Sequence, residues 1–281
     1  MLPAQEPGRP QGSPLPYTTY LIDLDGVIYR GNALLPGAQE FVAWLDTNHM
    51  KYLYLTNNSF ASGDQVLAKL TRLGISANAA HLLTAGQAAV QNIARRFPKG
   101  SVYVVGEEPL MELVKAQGLS VAPIDSEEAD AVLVGLDRDF DYTKLTCAMN
   151  AVRAGAAFVT INRDPLLPVQ GGFIPGTGSL AAAVEAASGI SPEVVGKPEP
   201  TLLYEAMHLL DSQPGETVMV GDGLGVDILA GKNAGTHTLL LLSGTTSREA
   251  LAASTIKPDH VYDDLAALMK DAASNPASKT C

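Results

Sequence analysis

YTTYLIDLDGVIYRGN, residues 17–32, is the stretch from which the rest of the chain can be read. Residues 17–22 are aromatic, β-branched or aliphatic, the composition of a strand, and they run straight into Asp23, Asp25 and Gly26. Side chains at i and i+2 of a strand point to the same side, so the two carboxylates emerge together where the strand ends. Ligands of open α/β sheets bind at those carboxyl ends. Two carboxylates side by side repel each other unless a cation or a shared proton lies between them. An Asx-turn accounts for one aspartate after a strand, but poorly for a pair.

Three later segments repeat this pattern of an apolar run discharging polar residues. In KYLYLTNNSF, 51–60, a strand over 51–55 leads into Thr56, Asn57, Asn58 and Ser59, where a hydroxyl and main-chain N–H groups can hold phosphate oxygens. In VVGKPEPTLLYEAM, 194–207, Lys197 is fixed between Gly196 and Pro198, just after Val194-Val195 and just before a helix from Thr201. Most lysines are solvated surface charges; this one is placed to reach inward as a fixed cation. In ETVMVGDGLGVDILAGKNAG, 216–235, a strand over 217–220 runs into Gly221-Asp222, with Gly223 and then Asp227 near the start of a helix. Taken alone, Asp227 could be a helix N-terminal charge, worth ~0.3–1 kcal/mol.

The ordered set D-x-D-G, T-N-N, G-K-P and G-D-x-x-x-x-D, each at a strand end and together spanning Asp23 to Asp227, resembles the haloacid dehalogenase (HAD) superfamily. Six further segments are similar to the branch with a large α/β cap: DLDGVIYRGNALLPGA, SVYVVGEEPLMELV, VLVGLDRDFDY, TINRDPLLP, IPGTGSLAAAVEAASG and DILAGKNAG. That branch includes p-nitrophenyl phosphatase-like, nucleotide, phosphoglycolate and pyridoxal phosphate phosphatases. The resemblance implies a Rossmann-like parallel-sheet core carrying an inserted α/β cap, and an Mg²⁺-dependent phosphatase of small-molecule phosphomonoesters. Asp23 would be the nucleophile of an aspartyl-phosphate mechanism and Asp25 its general acid and base. Mg²⁺ would be held by Asp23, the main-chain carbonyl of Asp25 and Asp222. Thr56, the backbone of Asn57 and Lys197 would bind the phosphoryl oxygens. Asp227 would orient Lys197 or a metal-bound water, with Gly221 and Gly223 shaping the loop, and a homodimer through the cap fits the same analogy.

Two departures from the family pattern stand out. After Asp222 the chain reads Gly223-Leu224-Gly225-Val226 where relatives carry larger polar residues, which predicts a loop with fewer substrate contacts and more freedom. After Asp164-Pro165 it reads Leu166-Leu167-Pro168, lacking the aromatic and histidine of relatives that accept pyridoxal phosphate. Asn162 and Arg163, just before, are the candidates for selecting substrate; the competing reading is a polar turn fixed by Asp-Pro.

Composition sets the outer limits. A chain of 281 residues with 46% hydrophobic residues and mean hydropathy +0.10 can bury a large core. A net charge of −11 with no Lys/Arg cluster argues against nucleic acid as a partner. Two cysteines, Cys147 and Cys281, make neither a disulfide framework nor a metal site, which favours the cytoplasm. No apolar run reaches the ~20 residues of a membrane helix, and the opening Pro/Gly/Gln-rich stretch lacks the apolar segment of a signal peptide.

Strand and helix signals alternate throughout, which argues for parallel sheets covered by helices. The four motifs fall before residue 60 and after residue 195, so the expected organisation is core 17–85, inserted cap 86–191 and core 192–270, with disordered tails at 1–16 and 271–281. Rival readings are a dehalogenase on the same fold, a dinucleotide-binding module and a non-catalytic scaffold. The first has no alkoxide that needs Asp25 and no phosphate that needs a metal. For the second, G-D-G-L-G lacks the third glycine of its fingerprint, Val226 standing there, and would set Asp222 against a pyrophosphate. The intact motif set opposes the third.

Overall fold

The strand Thr19–Asp23 is apolar at every position between its first residue and its terminal aspartate, and Tyr20, Leu21 and Ile22 are wholly buried. A strand buried on both faces belongs in the middle of a parallel sheet, and that is where the computed structural model places it. The structure describes residues 15–57, 63–126, 128–169 and 171–274. Asn58 and Ser59 lie outside the described residues.

The described chain divides into two compact units, one drawn from Met1–Leu55, Gly63–Leu82 and Ala206–Cys281, the other from Thr56–Ser62 and Leu83–Glu205. This division groups Thr56, Asn57 and Lys197 with the second unit.

The first unit is built on a six-stranded sheet. Its spatial order is Leu82–Thr84, Lys51–Thr56, Thr19–Asp23, Thr217–Gly221, His237–Leu241 and His260–Tyr262. Numbered by their place in the chain, these strands run 3-2-1-4-5-6, the doubly wound order, and every pairing from Lys51–Thr56 to His260–Tyr262 is parallel. The direction of winding reverses between Thr19–Asp23 and Thr217–Gly221, so the ligand crevice of such a sheet opens at the carboxyl ends of those two strands. Immediately after the first strand, a tight turn leads into a small hairpin, Tyr29–Arg30 against Ala33–Leu34.

The second unit has its own parallel sheet, ordered Glu193–Val194, Ala157–Thr160, Ala131–Val134, Ser101–Val105 and Ser120–Val121. Helices Tyr142–Arg153 and Thr177–Ser188 pack on it through Cys147, Ala148, Val152, Ala181 and Val184. A hairpin, Leu166–Val169 with Gly172–Pro175, completes the unit.

Element boundaries depart from the sequence expectations where tertiary packing takes over. The C-terminal helix Leu265–Ser274 carries order past residue 270, where a tail was expected, because Ala272 is buried. Leu15 is also buried, two residues ahead of the expected start of the core. The helix expected to start near Asp227, from about Val226, begins earlier, as a π-helical turn Leu224–Ile228 that continues into Leu229–Ala234.

Candidate active site

Asp23 ends the first strand of the sheet and Asp222 follows the fourth. Their strands are neighbours in register, Ile22 opposite Val220, and adjacent strands lie ~4.8 Å apart. The two motifs, far apart in sequence, therefore meet at the switch point. Asp227 joins them from the π-helical turn, and one carboxylate oxygen from each of Asp23, Asp222 and Asp227 lies within 4.8 Å of the others. The Asp25 carboxylate is exposed and is not part of this cluster.

The cluster is built into the fold rather than gathered on its surface. Asp227 is 2% exposed, and its Oδ2 accepts the main-chain N–H groups of Asp222 at 3.2 Å and Gly223 at 3.0 Å. Those bonds fold residues 222–227 into a closed loop. Leu224 is tied down too, its N–H donating to Thr246 Oγ1 at 3.3 Å. The Gly223–Val226 stretch, expected from its composition to be freer, is thus pinned at both ends by hydrogen bonds.

Asp222 accepts from the Thr245 N–H through Oδ2, and its carbonyl accepts from Thr246 Oγ1 at 2.6 Å. Burial pushes its carboxyl above the ordinary range; the Thr245 N–H opposes this, while the neighbouring Asp227 charge adds to it. Strain of this sign is what a bound cation relieves. Gly26 is required here. It sits at φ 85, and a Cβ on it would lie 2.4 Å from Asp222 Oδ2. Gly221 gives the same clearance to Asp227, whose Cβ would be 2.1 Å from an added Cβ. The donors are hard carboxylate oxygens without nitrogen or sulfur, a set that suits Mg²⁺ or a similar cation rather than zinc.

On the Asp25 side, the turn is closed by Ile28 N to Leu24 O at 2.9 Å and Gly26 N to Tyr29 O at 2.8 Å. This ties the main chain of the buried Tyr29 back to the strand end, where it bridges to Asp25. Burial, then the charges of Asp25 and Asp23, hold this phenol well above its ordinary pKa. Lys69, from the helix Gly63–Arg72, lies with Nζ 3.4 Å from the centre of the same ring.

The second unit holds the remaining predicted residues. Thr56 is buried at the end of its strand, and Lys197 is 5% exposed. Asn57 grips Lys197 from both sides of its main chain: Nδ2 donates to Lys197 O at 2.7 Å and Oδ1 accepts from Lys197 N at 2.8 Å. Asn162 is buried, donates to Asn57 O at 3.0 Å and accepts from Asp164 N at 3.1 Å. Its amide therefore links the Asn57 segment to the turn before Pro165. Arg163 is exposed and paired with Glu185, which also accepts from Ser191 Oγ at 2.5 Å and sits below the ordinary carboxylate range because of the Arg163 bond first and the Ser191 bond second.

Sequence reasoning missed several parts of this site. The loop Ser243-Gly244-Thr245-Thr246 carries the groups that hold Asp222, and Ser243 Oγ also donates to Gly26 O at 2.8 Å. Its signal was available, since it too is a polar cluster discharged by an apolar run. Arg30 reaches from the small hairpin to the carbonyls of Ser243 and Gly244, the latter at 2.8 Å. Nothing in the local sequence marks that contact, nor those of Tyr29 and Lys69.

Known proteins agree with this geometry. Residues 20–120 match a family model described as haloacid dehalogenase-like hydrolase, and residues 194–268 match a HAD-hydrolase-like model. The chain is 40% identical to a 5'-nucleotidase, YutF, of Bacillus subtilis over 89% of this chain and 96% of that protein. It is 36% identical to an acid sugar phosphatase of Staphylococcus saprophyticus, over 91% of this chain and 98% of that one. Among solved structures it superposes on a p-nitrophenyl phosphatase from Archaeoglobus fulgidus with a TM-score of 0.82 at 33% identity, covering 90% and 98% of the two chains.

Proposed function

The chain belongs to the haloacid dehalogenase superfamily, in its p-nitrophenyl phosphatase-like branch, and is a phosphomonoesterase; on that footing we propose that it hydrolyses small phosphate esters through an aspartyl-phosphate on Asp23, with Mg²⁺ as cofactor. The observation that carries this reading is the convergence of Asp23, Asp222 and Asp227 at the switch point of the sheet. Mg²⁺ would be held by Asp23, the main-chain carbonyl of Asp25 and Asp222, and it supplies neutralisation of phosphoryl charge. Asp227, with one oxygen engaged by main-chain N–H groups, fixes the Asp222 loop from beneath.

In the first step the Asp23 carboxylate attacks phosphorus and the ester P–O bond breaks. Asp25 gives its proton to the departing alkoxide. A water then attacks the aspartyl-phosphate, Asp25 takes the water's proton, and inorganic phosphate leaves with Asp23 restored. Carboxylates are weak nucleophiles, so alignment and charge neutralisation provide most of the acceleration. The motif order supports Thr56, the Asn57 N–H and Lys197 as the groups that bind the transferred phosphoryl. Arg163 and Asn162 are proposed to discriminate between leaving groups, from an inserted cap over 86–191 through which two copies would associate. Exposed Leu166, Phe173 and Ile190 give that part of the chain an apolar surface. Sugar phosphates and nucleoside monophosphates are the substrate classes suggested by the relatives. Among the described residues no helix is long and apolar enough to cross a membrane, and we place the enzyme in the cytoplasm.

The test is phosphate release from p-nitrophenyl phosphate, sugar phosphates, nucleotides, phosphoglycolate and pyridoxal phosphate, with Mg²⁺ present and chelated. Asp23→Asn should abolish turnover in all cases. Activity of that variant within tenfold of the parent would remove Asp23 as nucleophile.

A further inference from the structure

Asp222 is held by a loop that belongs to the neighbouring strand. Residues 243–246 follow His237–Leu241, which pairs with Thr217–Gly221 on the side away from Thr19–Asp23. Yet Ser243 Oγ donates to Gly26 O at 2.8 Å, in the turn after Thr19–Asp23. Adjacent strands lie ~4.8 Å apart, so the loop reaches across roughly 10 Å. The strand end that it crosses is the one carrying Asp222.

On the way the loop engages Asp222 twice. The Thr245 N–H donates to the carboxylate Oδ2, and Thr246 Oγ1 donates to the main-chain O at 2.6 Å. The same Thr246 hydroxyl accepts from the Leu224 N–H at 3.3 Å, and the residue is buried. One group thus ties both ends of the Asp222–Leu224 segment, acting as donor and acceptor at once, which no apolar side chain of that shape can do. Gly26 and Gly244 both abut the Asp222 carboxylate, and a Cβ on either would overlap it. Arg30 closes the far end of the loop, its Nη2 donating to Ser243 O and, at 2.8 Å, to Gly244 O. That arginine stands on the hairpin directly after the Asp25–Gly26 turn.

We propose that the 243–246 loop is a clasp for the cation site, with Thr246, Ser243 and Arg30 as positioning residues. Two of the proposed Mg²⁺ ligands, the Asp222 carboxylate and the Asp25 carbonyl, come from different strands. The loop is bonded to Asp222 through Thr245 and Thr246 and to the turn after Asp25 through Ser243 and Arg30, so it sets the separation between those ligands. The inference rests on the reading that these two groups hold the cation.

Thr246→Val keeps the shape of the side chain and removes its hydroxyl. Ser243→Ala, at a half-buried position, removes the contact to Gly26 with less disturbance to folding. The measurement is calorimetric titration with Mg²⁺, with urea denaturation of the same proteins. Groups that support metal ligands are worth ~10–100-fold in affinity, so Thr246→Val should weaken Mg²⁺ binding about tenfold or more, and Thr246→Ser should restore it. Ser243→Ala and Arg30→Met should each weaken it about threefold, the size of one net hydrogen bond. Thr236→Val is the control: its hydroxyl donates to Gly231 O at 3.2 Å, also buried, but at the opposite end of the His237–Leu241 strand. It should lose stability and keep the parent's Mg²⁺ affinity. An affinity in Thr246→Val within about threefold of the parent, no recovery in Thr246→Ser, an unchanged affinity in Ser243→Ala or Arg30→Met, or an equal loss in Thr236→Val overturns the proposal. Failure of the underlying reading looks different: Asp222→Asn itself would then leave Mg²⁺ affinity unchanged.

Discussion

Replacing Gly26 with alanine tests whether the fold reserves space for the Asp222 carboxylate. Two effects must be separated. The residue sits at φ 85, so any side chain there costs roughly 1–2 kcal/mol of backbone strain. The new Cβ would also stand 2.4 Å from Asp222 Oδ2 and 2.6 Å from its Cγ, with Gly244 Cα 3.1 Å away. To regain ordinary contact the carboxylate must retreat by about 1 Å, several times the ~0.2 Å tolerance of a metal–ligand distance. Gly31 supplies the control, since it lies at φ 57 and an added Cβ there would meet nothing within 4 Å, so Gly31→Ala carries the strain without the collision. Both variants should lose on the order of 1 kcal/mol in urea denaturation, Gly26→Ala somewhat more. Only Gly26→Ala should lose Mg²⁺ affinity, by ~10–100-fold as for other disturbed ligand supports. Its kcat/KM on p-nitrophenyl phosphate should fall roughly 10²-fold, the effect of a misplacement near 1 Å. Calorimetric titration with Mg²⁺ reads affinity independently of turnover. If Gly26→Ala binds Mg²⁺ within about threefold of Gly31→Ala, a difference below ~0.7 kcal/mol, the clearance argument is wrong.

Asn57→Ala should lower kcat/KM on every substrate by a similar factor, since the Asn57 amide holds the main chain of Lys197 on both sides; a change in substrate ranking would contradict that. Lys144→Met should cost about 3 kcal/mol in chemical denaturation, because it strands Asp137, which is buried and bound by Lys144 Nζ at 2.8 and 3.1 Å. Adding Asp137→Asn should recover much of that loss, and no recovery would mean packing rather than charge dominates. Burial lowers the His260 pKa, with His237 and Lys232 acting in the same sense and Asp259 opposing. The neutral ring is therefore favoured in the folded state, the stability it contributes is present above the unfolded value of ~6.5, and it is lost as pH falls through the lower folded value. The melting temperature should drop between about pH 7.5 and about pH 5.5, and less steeply in His260→Gln; equal slopes would exclude His260 as the source.

What could be read in the sequence, and what could not, follows from the range of the forces involved. Asp23 and Asp222 were legible as strand-end carboxylates because an apolar run ending in Asp-x-Asp-Gly or Gly-Asp is a local pattern. That their strands are neighbours is a property of winding order, fixed by which surfaces bury each other across the whole sheet, and only the family resemblance hinted at it. The helix near Asp227 was expected two residues late because local propensity disfavours Gly223 and Gly225 in a helix. The structure overrides that propensity by having the Asp227 carboxylate capture the N–H groups of Asp222 and Gly223, which closes the turn in π-helical form. The helix Arg248–Ala253 was missed for a different reason: none of its residues is buried, so it carries no apolar periodicity and starts on a Ser247 cap alone. Asn162 shows where a local pattern stops being informative. Its signal, a polar residue discharged by a strand, is the same as that of the acidic cluster, and its buried amide is engaged with Asn57 and Asp164. A polar group at a strand end must be satisfied, by a ligand or by the protein itself. Sequence can show that the obligation exists; which partner meets it depends on chain more than a hundred residues away.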